Sequence, residues 1–221
     1  QFAEVGYQLI SSSEAADVYV VNSCTVTHVA DRKARQALRA ARRRSPDAMI
    51  VVTGCYAERS RESLVAMGEI DLIVGNTQKD QLVRRVVEWM GDPPEYGTFE
   101  IVYAGDSVIR NRAMVKIQEG CDQVCAYCIV PKVRGRERSI PEANLVTLVN
   151  EHSSWGCKEV VLTGTQLGSY GFDIPGASLA GMLLGIMRDT MVPRVRVSSL
   201  QAQEIKSDLL DLWEDTRLCR H

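Results

Sequence analysis

The chain has 221 residues, 45% of them hydrophobic and 24% charged, and carries a net charge of −2. That balance excludes an intrinsically disordered tract and gives no global attraction to a polyanion, and no apolar run reaches the roughly 18 residues that a membrane-spanning helix needs. Seven cysteines, three of them close together, suit metal chemistry in a reducing, cytoplasmic compartment better than a secreted disulfide framework.

In chain order, ADVYVVNS is a Val-rich run that predicts a strand, and the Arg- and Ala-rich stretch from Asp31 to Arg44 predicts a helix that Pro46 ends. AMIVVTGC reads as a buried strand, ERSRESLVAM as a helix, IDLIVGN as a strand and KDQLVRRVVEWM as a helix. Strands alternating with helices imply a parallel sheet with both faces covered, where ligands gather at the carboxyl ends of the strands. Cys24 and Cys55 each fall at such an end. GDPPEYGTF, rich in proline and glycine, ends this domain at residue 91 and opens a linker over 92–111. Beyond it AMVKIQEG predicts a strand, PEANLVTLVNEHSSWG a helix, KEVVLTG a strand, SLAGMLLGIMRD a helix, RVRVSSL a strand and AQEIKSDLLDLWED one helix with a buried face. The expected fold is α/β: an open parallel-sheet domain over 1–91, then the first part of a partial β/α barrel over 112–221, with functional loops after its strands. A start at Gln1 and a stop at His221, directly after a predicted helix, are the ends expected of a fragment.

EGCDQVCAYCIVP places Cys121, Cys125 and Cys128 on one loop, three and then two residues apart. Three thiolates can hold three irons of a 4Fe-4S cubane and leave the fourth iron open to a non-protein ligand. The alternatives are a zinc site on Cys125 and Cys128 with two distant ligands, as in a metal-stabilised RNA-binding module, or buried cysteines that bind nothing. A simple electron carrier fits less well, since it normally uses four cysteines per cluster.

The spacing of CDQVCAYC, with the aromatic Tyr127 before its last cysteine, resembles the radical S-adenosylmethionine superfamily. Taken with VNSCTVTHVADRKARQ and VVTGCYAE, it resembles the methylthiotransferase family. TGCYAE and VLTGTQLGSYG are most similar to the branch acting on threonylcarbamoyladenosine in tRNA; the isopentenyladenosine tRNA and ribosomal-protein branches are the alternatives. The resemblance implies two 4Fe-4S clusters. Cys121, Cys125 and Cys128 would hold the cluster that binds S-adenosylmethionine and releases a 5′-deoxyadenosyl radical. Cys24 and Cys55 match two of three ligands of an auxiliary cluster through which sulfur is delivered, and the third is expected before Gln1. The implied product carries a methylthio group at C2 of the adenine. The implied partners are a tRNA and a flavodoxin- or ferredoxin-like electron donor, with no membrane. The rest of the barrel and an RNA-binding domain are expected beyond His221, and Ala202 stands where the family usually has proline.

Around this framework, Gly164 and Gly168 permit a tight turn after a strand, and Ser198 and Ser199 offer hydroxyls at a strand end. All four, with Tyr127, are candidate S-adenosylmethionine contacts, and ordinary loop geometry accounts for the glycines and serines equally well. Lys132, Arg134, Arg136 and Arg138 come after the cysteines and are candidate contacts to an RNA backbone. The basic run from Arg32 to Arg44 could present a phosphate-binding helix face, although such runs are more often solvated. His28 reads as a surface or capping residue, and Cys157 and Cys219 as structural.

Overall fold

The computed structural model describes residues 1–91, 111–198 and 200–220. The predicted linker, apart from residue 111, lies outside the described residues. Gln1–Ser107 with Lys132–Arg134 form one compact unit, and Val108–Pro131 with Gly135–His221 form another.

The first unit runs β1 (Val18–Ser23), α1 (His28–Arg44), β2 (Met49–Gly54), α2 (Cys55–Arg59), α3 (Arg61–Val65), β3 (Leu72–Val74) and α4 (Leu82–Met90). Its strands pair in parallel in the order β1-β2-β3, with register Val18↔Met49 through Ser23↔Gly54. β2 is central and buried at every position. Because strand side chains alternate, Ile50 and Val52 pack with Ala34, Leu38 and Ala41 of α1 on one face, while Met49 and Val51 pack with Leu82 and Val86 of α4 on the other. The Thr27 hydroxyl accepts from the Ala30 N–H, so α1 begins at His28, ahead of the expected Asp31. Much of its basic run is anchored. Arg35 donates to the Tyr56 hydroxyl, Arg39 pairs with Glu69, Arg44 donates to the Ser12 carbonyl, and Arg42 donates to the carbonyls of Pro46, Ala48 and Glu69 and to Asp71.

The second unit runs β4 (Arg112–Lys116), β5 (Gln118–Glu119), α5 (Val130–Arg134, its last turn grouped with the first unit), β6 (Arg138–Ser139), α6 (Glu142–Ser154), β7 (Glu159–Thr163), α7 (Leu179–Asp189), β8 (Arg194–Val197) and α8 (Ser207–Asp211). β4, β7 and β8 form a parallel sheet in chain order. Val115, Val160, Leu162, Val195 and Val197 face Leu145 and Val149 of α6 and Met182, Leu183 and Ile186 of α7. After α8 the chain returns alongside β8, with Leu218 bridging Val195 in parallel. This is the strand progression expected at the start of a β/α barrel. On the other sheet face, Glu159 sits in register with Arg112 and Arg194 and is paired with both and with Arg196.

Two predicted helices break. ERSRESLVAM divides at Ser60, whose φ of −130° and ψ of 40° leave the helical region between α2 and α3. AQEIKSDLLDLWED becomes a 3₁₀ turn over Ala202–Glu204, α8, and a second turn over Leu212–Glu214. Glu204 folds back to accept from the Gln201 N–H, closing the first turn on itself, and Lys206 is extended before α8 restarts. No helix among the described residues is long and apolar enough to cross a membrane.

Candidate functional site

The loop bearing Cys121, Cys125 and Cys128 leaves the second unit just after the end of β4. β5 and β6 pair antiparallel through Gln118↔Ser139 and Glu119↔Arg138, so a two-residue ladder clamps its base. Gly120 completes the clamp. Its φ is +79°, and a Cβ there would lie 2.0 Å from the Arg136 carbonyl oxygen. Asp122 accepts from Arg136 through both oxygens, at 3.0 and 2.8 Å, and from the Glu137 N–H at 3.0 Å. The Arg136 guanidinium and that N–H hold the Asp122 carboxyl below its ordinary range.

All three thiols are free; Cys125 is exposed and the other two are half-buried. Cys128 donates its N–H to the Cys125 carbonyl, and the Gln123 N–H points at the Cys121 sulfur at 3.4 Å. Burial pushes the Cys121 thiol up, and so do the nearby Glu137, Cys128 and Cys125; the Gln123 N–H opposes them. Three free thiols on a loop fixed at its base and open to solvent fit a cluster held by three cysteines. Among the described residues, no group of three or more His, Cys, Asp or Glu is gathered as a ready single-ion site.

In the first unit, the register Ser23↔Gly54 brings Cys24 and Cys55 out at the same level of adjacent strands. Gly54 lets the strands approach: its φ is +95°, and a Cβ would meet the Ser23 carbonyl oxygen at 2.3 Å. Cys24 is exposed, whereas Cys55 heads α2 and is 5% exposed. Two N–H donors point at the Cys55 sulfur, Arg134 Nε at 3.5 Å and Asn76 Nδ2 at 3.7 Å.

Residues 1–75 match a family described as "Uncharacterized protein family UPF0004". The chain is 38% identical to the Aquifex aeolicus protein named threonylcarbamoyladenosine tRNA methylthiotransferase MtaB, over 96% of this chain and 54% of that one. It is 34% identical to the Bacillus subtilis protein of the same name, over 96% of this chain and 49% of that one. Over most of its length the chain is thus similar to methylthiotransferases. A Lachnoclostridium phytofermentans relative named ribosomal protein uS12 methylthiotransferase RimO is 30% identical over 98% of this chain and 52% of its own. The chain thus spans about half the length of the curated relatives it matches. For the fold alone, a solved radical S-adenosylmethionine methyltransferase, TsrM from Kitasatospora setae, superposes with a TM-score of 0.61 at 17% identity, covering 98% of this chain and 49% of that one.

The other candidate residues occupy varied settings. Tyr127 is 92% exposed on the cysteine loop. Gly164 leaves no room for a Cβ beside Leu167, at 2.7 Å, and Gly168 none beside the Glu204 side chain, at 2.2 Å. Ser198 donates its N–H to the Leu162 carbonyl and lines a 630 Å³ cleft with Leu200, Ile205, Leu210 and Trp213. Ser199 lies outside the described residues. Lys132 is exposed, Arg134 reaches Cys55, Arg136 is held by Asp122, and Arg138 is 4.0 Å from Glu119. His28 is an exposed first residue of α1, while Cys157 and Cys219 are buried.

Sequence reasoning passed over three buried polar residues here. Gln118 donates to the Gly120 carbonyl at 2.9 Å and accepts from the N–H groups of Thr165 and Gln166 at 2.9 and 3.0 Å. It therefore ties the cysteine-loop base to the loop after β7. Gln166 is buried and bonds Glu204 and Gln201. Glu137 is buried with one carboxylate oxygen, Oε1, unpartnered, and burial pushes its carboxyl up. Only glycine and thiol patterns were readable signals; a lone Gln in a strand carries none.

Proposed function

We propose that the protein is a radical S-adenosylmethionine methylthiotransferase that adds a methylthio group to C2 of N6-threonylcarbamoyladenosine next to the anticodon of a tRNA. The observation that carries this reading is the clamped loop presenting Cys121, Cys125 and Cys128 as free thiols after a barrel strand. The substrate branch is supported by 38% identity to the Aquifex MtaB protein against 30% to the RimO relative.

Cys121, Cys125 and Cys128 would hold one 4Fe-4S cluster, and Cys24 and Cys55 would contribute to a second. Bound clusters with S-adenosylmethionine supply the one-electron and sulfur chemistry that an unactivated C–H bond demands. The chain's own residues do the rest. The β5–β6 ladder and the Asp122–Arg136 pair fix where the thiols stand. The Gln123 N–H stabilises negative charge on the Cys121 sulfur, as N–H donors to cluster sulfurs do. Gln118 sets the β7 loop, with Gly164 and Gly168, against the same strand end; these glycines, Tyr127, Ser198 and Ser199 would contact S-adenosylmethionine. Lys132, Arg134, Arg136 and Arg138 lie along the path of the RNA backbone. A flavodoxin- or ferredoxin-like donor supplies the electron, and the tRNA substrate places the reaction in the cytoplasm.

Anaerobic reconstitution of the full-length protein tests the reaction class. Iron, brown absorption and S-adenosylmethionine cleavage are expected, and cleavage should disappear when Cys121, Cys125 and Cys128 all become Ala. Cleavage surviving that change, or zinc in place of iron, overturns the reading. Mass spectrometry of tRNA nucleosides from cells with and without the gene tests the branch: the methylthiolated threonylcarbamoyladenosine should vanish. Loss of the isopentenyl-type product instead refutes the assignment.

A further inference from the structure

Cys24 and Cys55 leave adjacent strands at one level, but they lead into different structures. Cys55 begins a helix, whereas Cys24 enters an open loop in which Cys24, Val26, Thr27 and His28 are exposed. Within that loop the Val26 N–H points back at the Cys24 sulfur at 3.5 Å. One residue of the loop is nevertheless 2% exposed: Thr25, next to Cys24.

The reason is Arg59. It lies four residues after Cys55, one helical turn away and on the same side of α2. Its Nη1 donates to Thr25 Oγ1 at 3.1 Å and reaches Asp31 Oδ2 at 3.5 Å. Thr25 adjoins Cys24 and Asp31 sits in the first turn of α1, so one guanidinium grips the Cys24 loop at both ends from the helix that carries Cys55. The pair is a poor device for stability. Asp31 is buried, its contact with Arg59 is long, and its other oxygen, Oδ1, is buried with no hydrogen-bond partner. Burying a carboxylate so incompletely satisfied costs free energy, and such pairs persist where position matters more than stability.

We propose that Arg59 is a positioning residue that holds the Cys24 loop against the Cys55 helix, so that the two thiols are presented together to the auxiliary cluster. This rests on the proposed auxiliary site.

The test uses the full-length protein with Cys121, Cys125 and Cys128 changed to Ala, so that bound iron reports on the auxiliary site alone. In that background Arg59→Gln and Arg59→Lys are reconstituted anaerobically, and iron and sulfide per chain, the paramagnetic resonance spectrum of the reduced cluster and the melting temperature of the apoprotein are measured. Arg59→Gln should retain several-fold less iron, or show a changed spectrum, with apoprotein melting close to that of the parent. Arg59→Lys, which keeps a cationic donor, should recover part of the loss. Parent-like iron and spectrum in Arg59→Gln overturn the proposal. So does an iron loss matched by a fall in apoprotein melting temperature, which makes Arg59 structural. A parent that binds no iron refutes the auxiliary site itself, and the inference with it.

Discussion

The two cysteine sites are built by opposite means. Cys121, Cys125 and Cys128 are neighbours in sequence, and the fold only has to close the ends of their loop, which it does with the short ladder of Gln118–Glu119 against Arg138–Ser139. Cys24 and Cys55 are 31 positions apart, and the sheet itself pairs them through the parallel register of β1 and β2. Both sites use a glycine at positive φ where backbones meet, Gly120 in the loop and Gly54 in the sheet. Damage to the first site should therefore stay local, while damage to the second should reach the core of its unit.

The largest effect tests that difference directly. In Gly54→Ala a Cβ would collide with the Ser23 carbonyl at 2.3 Å and with the Asn22 side chain at 2.7 Å, at a left-handed φ, beside a strand buried on both faces. Strain of about 1–3 kcal/mol from the backbone alone, added to the clash, should destabilise the first unit by more than about 3 kcal/mol in urea unfolding. Gly120→Ala meets a still closer contact with the Arg136 carbonyl, at a buried position but at the base of an exposed loop rather than inside a central strand. It should lower the main unfolding transition less than Gly54→Ala does, while loosening the cysteine loop, seen as faster amide exchange at Cys121 and Glu137. Equal global losses for both substitutions would erase the distinction.

Next in size is Gln118→Leu. It leaves the Thr165 and Gln166 N–H groups and the Gly120 carbonyl without their buried partner, and each such group costs about 1–3 kcal/mol. Allowing for water entry, a loss of about 2–4 kcal/mol is expected in urea unfolding of the second unit. A loss below about 1 kcal/mol would mean that the clamp of the cysteine loop does not depend on the β7 loop.

Legibility in the sequence divides along the same line. The three-thiol loop was readable because its cysteines are neighbours in sequence, and the strands because their apolar runs are long and bounded by small polar residues or glycine. Cys24 and Cys55 became a pair only on the premise of a parallel sheet, since nothing nearer in sequence relates them. Gln118 was hidden because its partners lie 47 and 48 residues away. Arg59 in ERSRES looks like any solvated helix charge, and its role depends on Thr25 and Asp31, which are 34 and 28 residues distant. The contact of Arg134 Nε with the Cys55 sulfur was hidden because the two residues are 79 positions apart. The break at Lys206 escaped notice because Glu204 turns back toward Gln201 and Gln166, the latter a long-range partner that helix periodicity cannot register.

The smallest expected effect concerns a feature the two sites share, a buried carboxylate with one unpartnered oxygen: Asp31 in the first unit and Glu137 in the second. For Glu137, burial pushes the carboxyl up, and the negative Asp122 and Asp173 add to it against hydrogen bonds from Ser169 and Gln118. Glu137 therefore binds its proton more tightly in the folded chain than in the unfolded one, where its reference value is 4.5. Its stabilising contribution is complete below that value and is lost as pH rises through the higher folded-state pKa. Glu137→Gln cannot ionise and escapes the loss. The urea midpoint of the variant, relative to the parent, should accordingly climb between about pH 4 and about pH 7, while the absolute change stays smaller than that of Gln118→Leu. A difference that is flat across this range would show that the carboxyl is as well solvated as any surface glutamate, and the likeness between the two buried carboxylates would then fail on the side of the cysteine loop.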